Sequence, residues 1–220
     1  MKVVGMIPAR MGSQRLKKKN LRELGGSTLI SRAIQKCVEA NCFDEIYVNS
    51  ENTIFQPIAE TAGVNFYKRP DELGGNEATS EDFVTDFLNK IECDYLIQVH
   101  SIAPLLSISE IRDFTSAFVG SDYDVYLSCI EDRIEVAFQG QPVNFTFSKK
   151  TNSQELHPTQ RLTWCITGWK RETFLNAKSN HQIGTYAGQI GFFPVSNLAG
   201  HVIKTEHDLK VAAALMETLG

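Results

Sequence analysis

A mainly parallel α/β fold is predicted for this 220-residue chain by three observations. Short apolar runs alternate with segments of helical periodicity, Pro and Gly close several of them, and no internal repeat, linker or low-complexity tract breaks the rhythm. The length suits a single domain over residues 1–220 with a sizeable core. Hydrophobic residues make up 42% and charged residues 22%, ordinary globular usage that excludes a disordered, collagenous or coiled-coil chain.

Residues 3–7 form an apolar, partly β-branched run ending at Pro8, the pattern of a buried central strand. Leu29, Ile30, Ala33, Ile34, Cys37 and Val38 then recur at helical spacing, with Ser27 or Thr28 placed to cap the first turn. Residues 45–49 read as a strand, 53–62 as a helix closed by Gly63, and 65–67 as a strand stopped at Arg69-Pro70. Phe83, Val84, Phe87, Leu88 and Ile91 predict a helix behind Thr79-Ser80. A strand at 95–99, a helix at 109–119 and a strand at 124–130 follow. Such alternation places helices on both faces of the sheet.

Past Ile130 the rhythm changes. Residues 135–138 and 143–147 flank Gln139-Gly140-Gln141-Pro142 as a hairpin. Residues 149–161 are polar and unpatterned, and are expected to cover either a ligand or a partner subunit. Segments 164–168 and 190–194 and a helix over 206–219 finish the domain.

The apolar stretches at 3–7 and 96–99 are far too short to span a bilayer, and the first residues leave no room for a secretory apolar region. A cytoplasmic protein is expected. The five cysteines form no C-x-x-C pair, which argues against a disulfide framework or zinc site and for buried reduced thiols. The net charge of −4 gives no support to nucleic-acid binding. Its distribution says more. Residues 1–22 hold seven bases and no acid, while the rest carries 15 bases against 26 acids.

The basic segment follows the first strand, where parallel sheets bind ligands beyond their carboxyl ends. It reads Ile7-Pro8-Ala9-Arg10-Met11-Gly12-Ser13-Gln14-Arg15-Leu16-Lys17-Lys18-Lys19-Asn20-Leu21, neither G-x-G-x-x-G nor a P-loop. Gly12 permits close backbone approach, Ser13 offers a hydroxyl and an amide, and Arg10 and Lys19 can neutralise a polyphosphate. Lys17 to Lys19 could equally be a solvated surface run. Placement behind a central strand with no intervening acid favours a triphosphate.

The pattern from Ile7 to Leu21 resembles the N-terminal signature of the cytidylyltransferases that activate sialic acid and related nonulosonic acids, with the Kdo enzymes as cousins. Further segments resemble the same family in order: Ile46 to Glu51, Arg69-Pro70 with Glu77-Ala78-Thr79-Ser80, Leu96-Ile97-Gln98 with Ala103-Pro104-Leu105, Lys170 to Leu175, and Ile203 to Leu209. The resemblance covers nearly the whole chain. It implies a three-layer, Rossmann-like nucleotide-diphospho-sugar transferase fold. It implies too that CTP and an acidic 2-keto sugar give a CMP-sugar and pyrophosphate, a transfer governed by positioning and charge neutralisation.

By that resemblance Ala9, Arg10, Gly12, Ser13, Gln14, Lys19 and Asn20 hold the nucleotide, with Arg10 and Lys19 the catalytic candidates. Arg69, Ala78 and Ser80 border the cytosine; Gln98 and Arg161 meet the sugar, Arg161 through its carboxylate. Mg²⁺ is the implied cofactor, with no protein ligand identified. A homodimer is implied, the inserted segment 131–161 reaching over a second subunit. Other readings compete at single positions. Ser80 could cap the following helix, and Arg69 could be an exposed strand end. Gln98 in an apolar strand needs a polar partner, which favours a ligand. Trp164 and Trp169 suit core or interface roles.

Four departures stand out. The family's D-I-D-T is Val202-Ile203-Lys204-Thr205 here, without the aspartates that magnesium would need; Asp208 suits a capping box instead. Gln14 replaces a common lysine. Thr163-Trp164-Cys165-Ile166-Thr167 replaces N-G-A-I-Y, and His100 and Ile102 alter Q-P-T-S-P. An active enzyme whose metal rides on CTP phosphates, an enzyme for an unusual acceptor and a non-catalytic CTP or CMP-sugar binding protein all fit, as does an enzyme using another nucleoside triphosphate. Lys204 itself could contact phosphate.

Overall fold

The computed structural model describes residues 1–219. The elements in chain order are β1 (Val3–Pro8), β2 (Glu23–Leu24), β3 (Ser27–Thr28), α1 (Leu29–Ala40), β4 (Glu45–Ser50), α2 (Gln56–Thr61), β5 (Asn65–Lys68), α3 (Ser80–Lys90), β6 (Tyr95–Val99), α4 (Ile108–Val119), β7 (Val125–Asp132), β8 (Ala137–Phe138), β9 (Gln141–Pro142), β10 (Thr159–Lys170), α5 (Arg171–Ser179), β11 (Ile190–Pro194) and α6 (Glu206–Leu219). Seven of the strands form one sheet in the order β11-β7-β10-β6-β1-β4-β5.

The central strands are apolar on both faces because helices cover both. Along β1, Val3 and Ile7 join the layer under α1 and α4, while Val4 and Met6 join the layer under α3 and α5, the period of two expected of a strand. Gly5 leaves room for Phe43, whose ring would lie 3.1 Å from a Cβ there. A third cluster packs Leu209 and Ala212 of α6 against Leu16, Leu24 and Ile203. Leu16 therefore anchors the middle of the basic segment. Thr28 caps α1 by accepting from the Ser31 amide at 3.2 Å. Four cysteines are buried, Cys42 is half-buried, and all five are free thiols.

Three sequence expectations need correction. The segment 53–62 is a 3-10 turn, Thr53–Phe55, running into α2, because Pro57 sits in the first turn of the α-helix and cannot donate a backbone bond. The hairpin exists but is shorter: Ala137 pairs with Pro142 and Phe138 with Gln141. The turn is therefore Gln139-Gly140, both at positive φ, as a tight hairpin requires. The polar stretch before 164 is not all irregular, since β10 begins at Thr159 and runs 12 residues. It pairs antiparallel with both β6 and β7, so the sheet is parallel except for this strand. Edge-on pairing with β7 supplies the backbone partners that its side-chain pattern does not advertise.

Candidate functional site

The carboxyl end of β1 opens into a cavity of about 160 Å³ lined by Ala9, Arg10, Ser13, Lys19, Asn20, Arg69 and residues of the loop after β6. Interlocking polar bonds hold its rim. Ala9 N–H donates to Asn49 at the end of β4. Asn20, only 4% exposed, donates from Nδ2 to the Arg10 carbonyl at 3.0 Å and accepts from the Ser101 hydroxyl at 2.7 Å. It ties the loop after β1 to the loop after β6. Arg10 donates to the Gly75 carbonyl at 3.2 Å, and Lys19 donates to the Ile203 carbonyl at 3.2 Å.

Arg69 is 2% exposed, not the exposed strand end that its sequence allowed. Its Nη2 donates to the Ala9 carbonyl at 3.1 Å and to Glu51 Oε2 at 2.8 Å, and its guanidinium carbon stands 4.8 Å from the centre of the Phe83 ring. Glu51 also accepts from the Met11 amide at 2.8 Å. One carboxylate thus clamps the loop and neutralises the buried arginine. Gly74 is required by that clamp, because a Cβ would come within 2.2 Å of Glu51. Gly12 is different: a Cβ would meet only the Gly74 carbonyl at 3.7 Å, so packing inside the chain does not demand glycine there.

Burial, followed by the charges of Arg15, Arg10 and Lys204, holds the Lys19 ammonium below its ordinary value. The position suits an anion, whose charge would offset the repulsion from Arg15, Arg10 and Lys204 and restore the ammonium. Burial, with Lys19 beside it, pushes His100 down to about 4, so the imidazole is neutral near pH 7. The run Lys17 to Lys19 divides between the two readings open to it: Lys17 and Lys18 are exposed, while Lys19 turns inward.

Several expected site residues stand elsewhere. Gln14 is exposed and outside the cavity lining. The Ser13 amide is engaged by the Met11 carbonyl at 2.9 Å, leaving the hydroxyl free. Ala78 and Ser80 do not line this cavity, and Ser80 is the first helical residue of α3 rather than its cap; Thr79 caps, with Asp82 accepting from its amide at 2.7 Å. Gln98 lies deeper, 1% exposed, with Nε2 against the His100 ring and Oε1 without a partner among the described residues. Arg161 is on the outer part of β10, largely exposed and paired with Asp132 at 3.3 Å. Trp169 is core, at 1% exposure.

Sequence reasoning missed Glu51, Phe83, His100 and Ser101 as parts of the site. Glu51 was findable, since it directly follows β4, the strand beside β1, and a buried Arg69 demands a carboxylate. Phe83 carried no signal, because its helical spacing reads equally as core.

Magnesium takes hard oxygen ligands, commonly one or two carboxylates together with phosphate oxygens. No carboxylate lines the cavity. Glu51 is committed to Arg69, and Asp208 accepts from the Lys204 and Thr205 amides at 2.9 and 2.8 Å in the expected capping arrangement. Among the described residues no cluster of three His, Cys, Asp or Glu side chains could hold an ion. The donor set does not fit a protein-held magnesium. A larger hollow, about 860 Å³, lies at the opposite, amino-terminal edge of the sheet near Asp94, Asp124 and Lys170. Its charges are mostly paired with one another, and it lies away from the strand ends where this class of sheet binds ligands.

Strand order, the single reversed strand and a cleft beyond β1 define an α/β nucleotidyltransferase fold. The chain belongs to the cytidylyltransferase family, whose sequence model, described as "Cytidylyltransferase", matches residues 4–215. It is 29% identical over 202 residues to an N-acylneuraminate cytidylyltransferase of Streptococcus agalactiae, covering 86% of this chain and 48% of that protein. Over 114 residues it is 33% identical to the Escherichia coli N-acylneuraminate cytidylyltransferase, covering 52% of this chain and 26% of that one. The chain spans about half the length of the first of these relatives. In fold it is similar to a CMP:2-keto-3-deoxy-manno-octonic acid synthetase solved with CTP, at a TM-score of 0.76 and 17% identity over 100% of both chains. A 4-diphosphocytidyl-2C-methyl-D-erythritol synthase from Anaerococcus prevotii gives 0.71 at 12% identity, covering 98% of this chain and 96% of that one.

Proposed function

We propose that this chain transfers CMP from CTP to an acidic 2-keto sugar and releases pyrophosphate. The observation that carries the reading is the cavity beyond β1, where Arg10, Ser13 and the inward-turned Lys19 converge without a carboxylate. In the proposed reaction the sugar's anomeric hydroxyl attacks the α-phosphorus, the α–β anhydride bond breaks, and the hydroxyl proton leaves to a base or to solvent. Arg10 and Lys19 neutralise the tail that departs. Arg69 and Phe83 offer a cation and an aromatic face beside the Ala9 backbone, suited to a pyrimidine ring. Any magnesium would have to come with CTP rather than from a protein site, and Lys204, whose charge already bears on Lys19, would share the phosphate charge.

Arg161 stands on an arm, 131–161, that also exposes Ile134, Phe138, Val143 and Phe147 at 57–75%. Exposed apolar side chains in such number mark a contact surface. We propose that a second copy covers them and that Arg161 meets the acceptor carboxylate in that copy's cleft, where a planar fork suits it. Five free thiols suit a reducing, cytoplasmic setting, and no helix among the described residues is long and apolar enough to cross a membrane.

The test is pyrophosphate release from CTP with a panel of eight- and nine-carbon keto-sugar acids, with UTP, GTP and ATP as controls. Release with CTP and at least one acid supports the reading; preference for another nucleotide redirects it. A second reading, a CTP or CMP-sugar binding protein without turnover, draws on the absence of carboxylates from the cavity. Tight CTP binding with no release across the whole panel would establish it.

A further inference from the structure

A third hollow, of about 420 Å³, lies beside the cation-lined cavity beyond β1. Thr79, Ser80 and Glu81 of the α3 entry form one side, and Trp164, Ile183 and Tyr186 form the other. Two links place it next to the cation-lined cavity. Phe83, one turn along α3 from Ser80, lines that cavity. So does His100, whose amide donates at 3.0 Å to the carbonyl of Cys165, the residue after Trp164.

Trp164 has a left-handed backbone, φ 57, a conformation costly for a bulky side chain and free for glycine. It sits where β10 bulges, the pairing with β7 jumping from Leu162↔Cys129 to Thr167↔Leu127. Bulges re-aim side chains beside active sites. The left-handed turn therefore carries an indole. Its ring meets Tyr186 edge to face, centroids 6.1 Å apart, and Tyr186 and Ile183 are 49% and 62% exposed. The acid in the hollow is already matched: Glu81 accepts from the Gly184 and Thr185 amides at 2.6 and 3.0 Å and pairs with Lys178 at 3.1 Å. What is left to a ligand is aromatic surface and the Ser80 hydroxyl. Close by, the register partners Gln98 and Thr167 bury Oε1 and Oγ1 without hydrogen-bond partners among the described residues.

We infer that Trp164 is a specificity-determining residue: with Tyr186 it walls the acceptor side of the site, takes the apolar face of a compact keto-sugar ring, and excludes acceptors with bulky N-acyl or extended substituents. This rests on the CMP-transfer reading above. The strained turn is then explained, since an indole there occupies volume that glycine would leave to the acceptor.

The experiment compares wild type, Trp164→Gly and Trp164→Phe in pyrophosphate release across compact and bulky acceptors, with thermal midpoints measured alongside. Trp164→Gly relieves the strain at φ 57 but removes an indole packed against the core, so its midpoint should fall while the chain still folds. It should leave the KM for CTP unchanged and shift the kcat/KM ratio of bulky to compact acceptors by at least about tenfold. Trp164→Phe should retain the wild-type ranking. An unchanged ranking in Trp164→Gly, or a rise in the KM for CTP as large as that for the acceptor, overturns the inference while the transfer reading stands. Wild type that releases no pyrophosphate from any acceptor overturns both. Should Trp164→Gly misfold, Tyr186→Ala serves in its place with the same expected shift.

Discussion

The corner around Arg10, Asn20 and Arg69 and the arm of residues 131–161 are both irregular in sequence and both rich in polar residues, yet they are held in opposite ways. In the corner, bonds reach across the fold: Asn20 to Ser101, Lys19 to Ile203, and Arg69 to Ala9 and Glu51. In the arm, Asn144 bonds to Val136, Ile134 and His157, and Lys150 to Glu135, all within the arm itself. Large apolar side chains there face outward. The difference teaches that one loop is fixed by residues elsewhere in its own chain while the other keeps its apolar surface exposed, as the proposed small-ligand and partner-binding roles respectively require.

The largest effect is expected at Arg69. Arg69→Met should cost about 3 kcal/mol in urea unfolding by leaving the largely buried Glu51 uncompensated, and should abolish CTP binding. Adding Glu51→Gln should recover part of the stability but none of the binding. A loss well under about 1 kcal/mol would mean that the corner is no better tied than the arm. Next comes Lys19→Met, removing charged contacts worth about 1.5–3 kcal/mol, or roughly 10- to 100-fold in CTP affinity.

The same lysine sets a pH signature. Its folded-state value is lowered from 10.5, so the fold favours the neutral amine and stability rises with pH between that lowered value and 10.5. CTP requires the ammonium. Its affinity therefore falls as pH rises through the folded value, and its binding takes up a proton in that window. Calorimetry in buffers of different ionisation enthalpy should show the uptake, and Lys19→Met should lack it.

Asn20→Ala should cost about 1–3 kcal/mol, since it strands the Arg10 carbonyl and the Ser101 hydroxyl, and should weaken CTP binding without touching oligomeric state. The smallest effect on the folded chain is expected in the arm. Phe138→Ser with Phe147→Ser should change single-chain stability by about 0.5 kcal/mol or less, yet sedimentation should show monomer where wild type is dimeric. A monomeric wild type at micromolar concentration would remove the proposed role of the arm.

Much of the fold was legible because its signals are local. The alternation of β1, α1, β4 and β5, the Thr28 cap and the Thr205–Asp208 cap all depend on residues within a few positions of one another. The strand β10 was only half legible, because its outer half is paired by backbone bonds to β7 and its exposed side chains carry no alternation. In the site, Arg10, Ser13 and Lys19 were readable from charge and placement, and Asn20 only through the resemblance. The resemblance sets Ser80 at the cytosine and Arg161 at the sugar carboxylate, whereas the structure sets Ser80 in a neighbouring hollow and Arg161 on an outlying arm.

By itself the chain's sequence determined the order and type of most of its elements, though not of β2, β3 or α5, together with the cationic segment behind the first strand and the absence of aspartates at Val202 and Lys204. Those follow from side-chain chemistry and short-range periodicity. The tertiary structure alone decided that Glu51 pairs with Arg69, that Trp164 occupies a left-handed turn beside the cleft, and which of the three adjacent lysines turns inward. Each of these depends on contacts between residues distant in the chain, and such contacts exist only once the strands have been ordered in space.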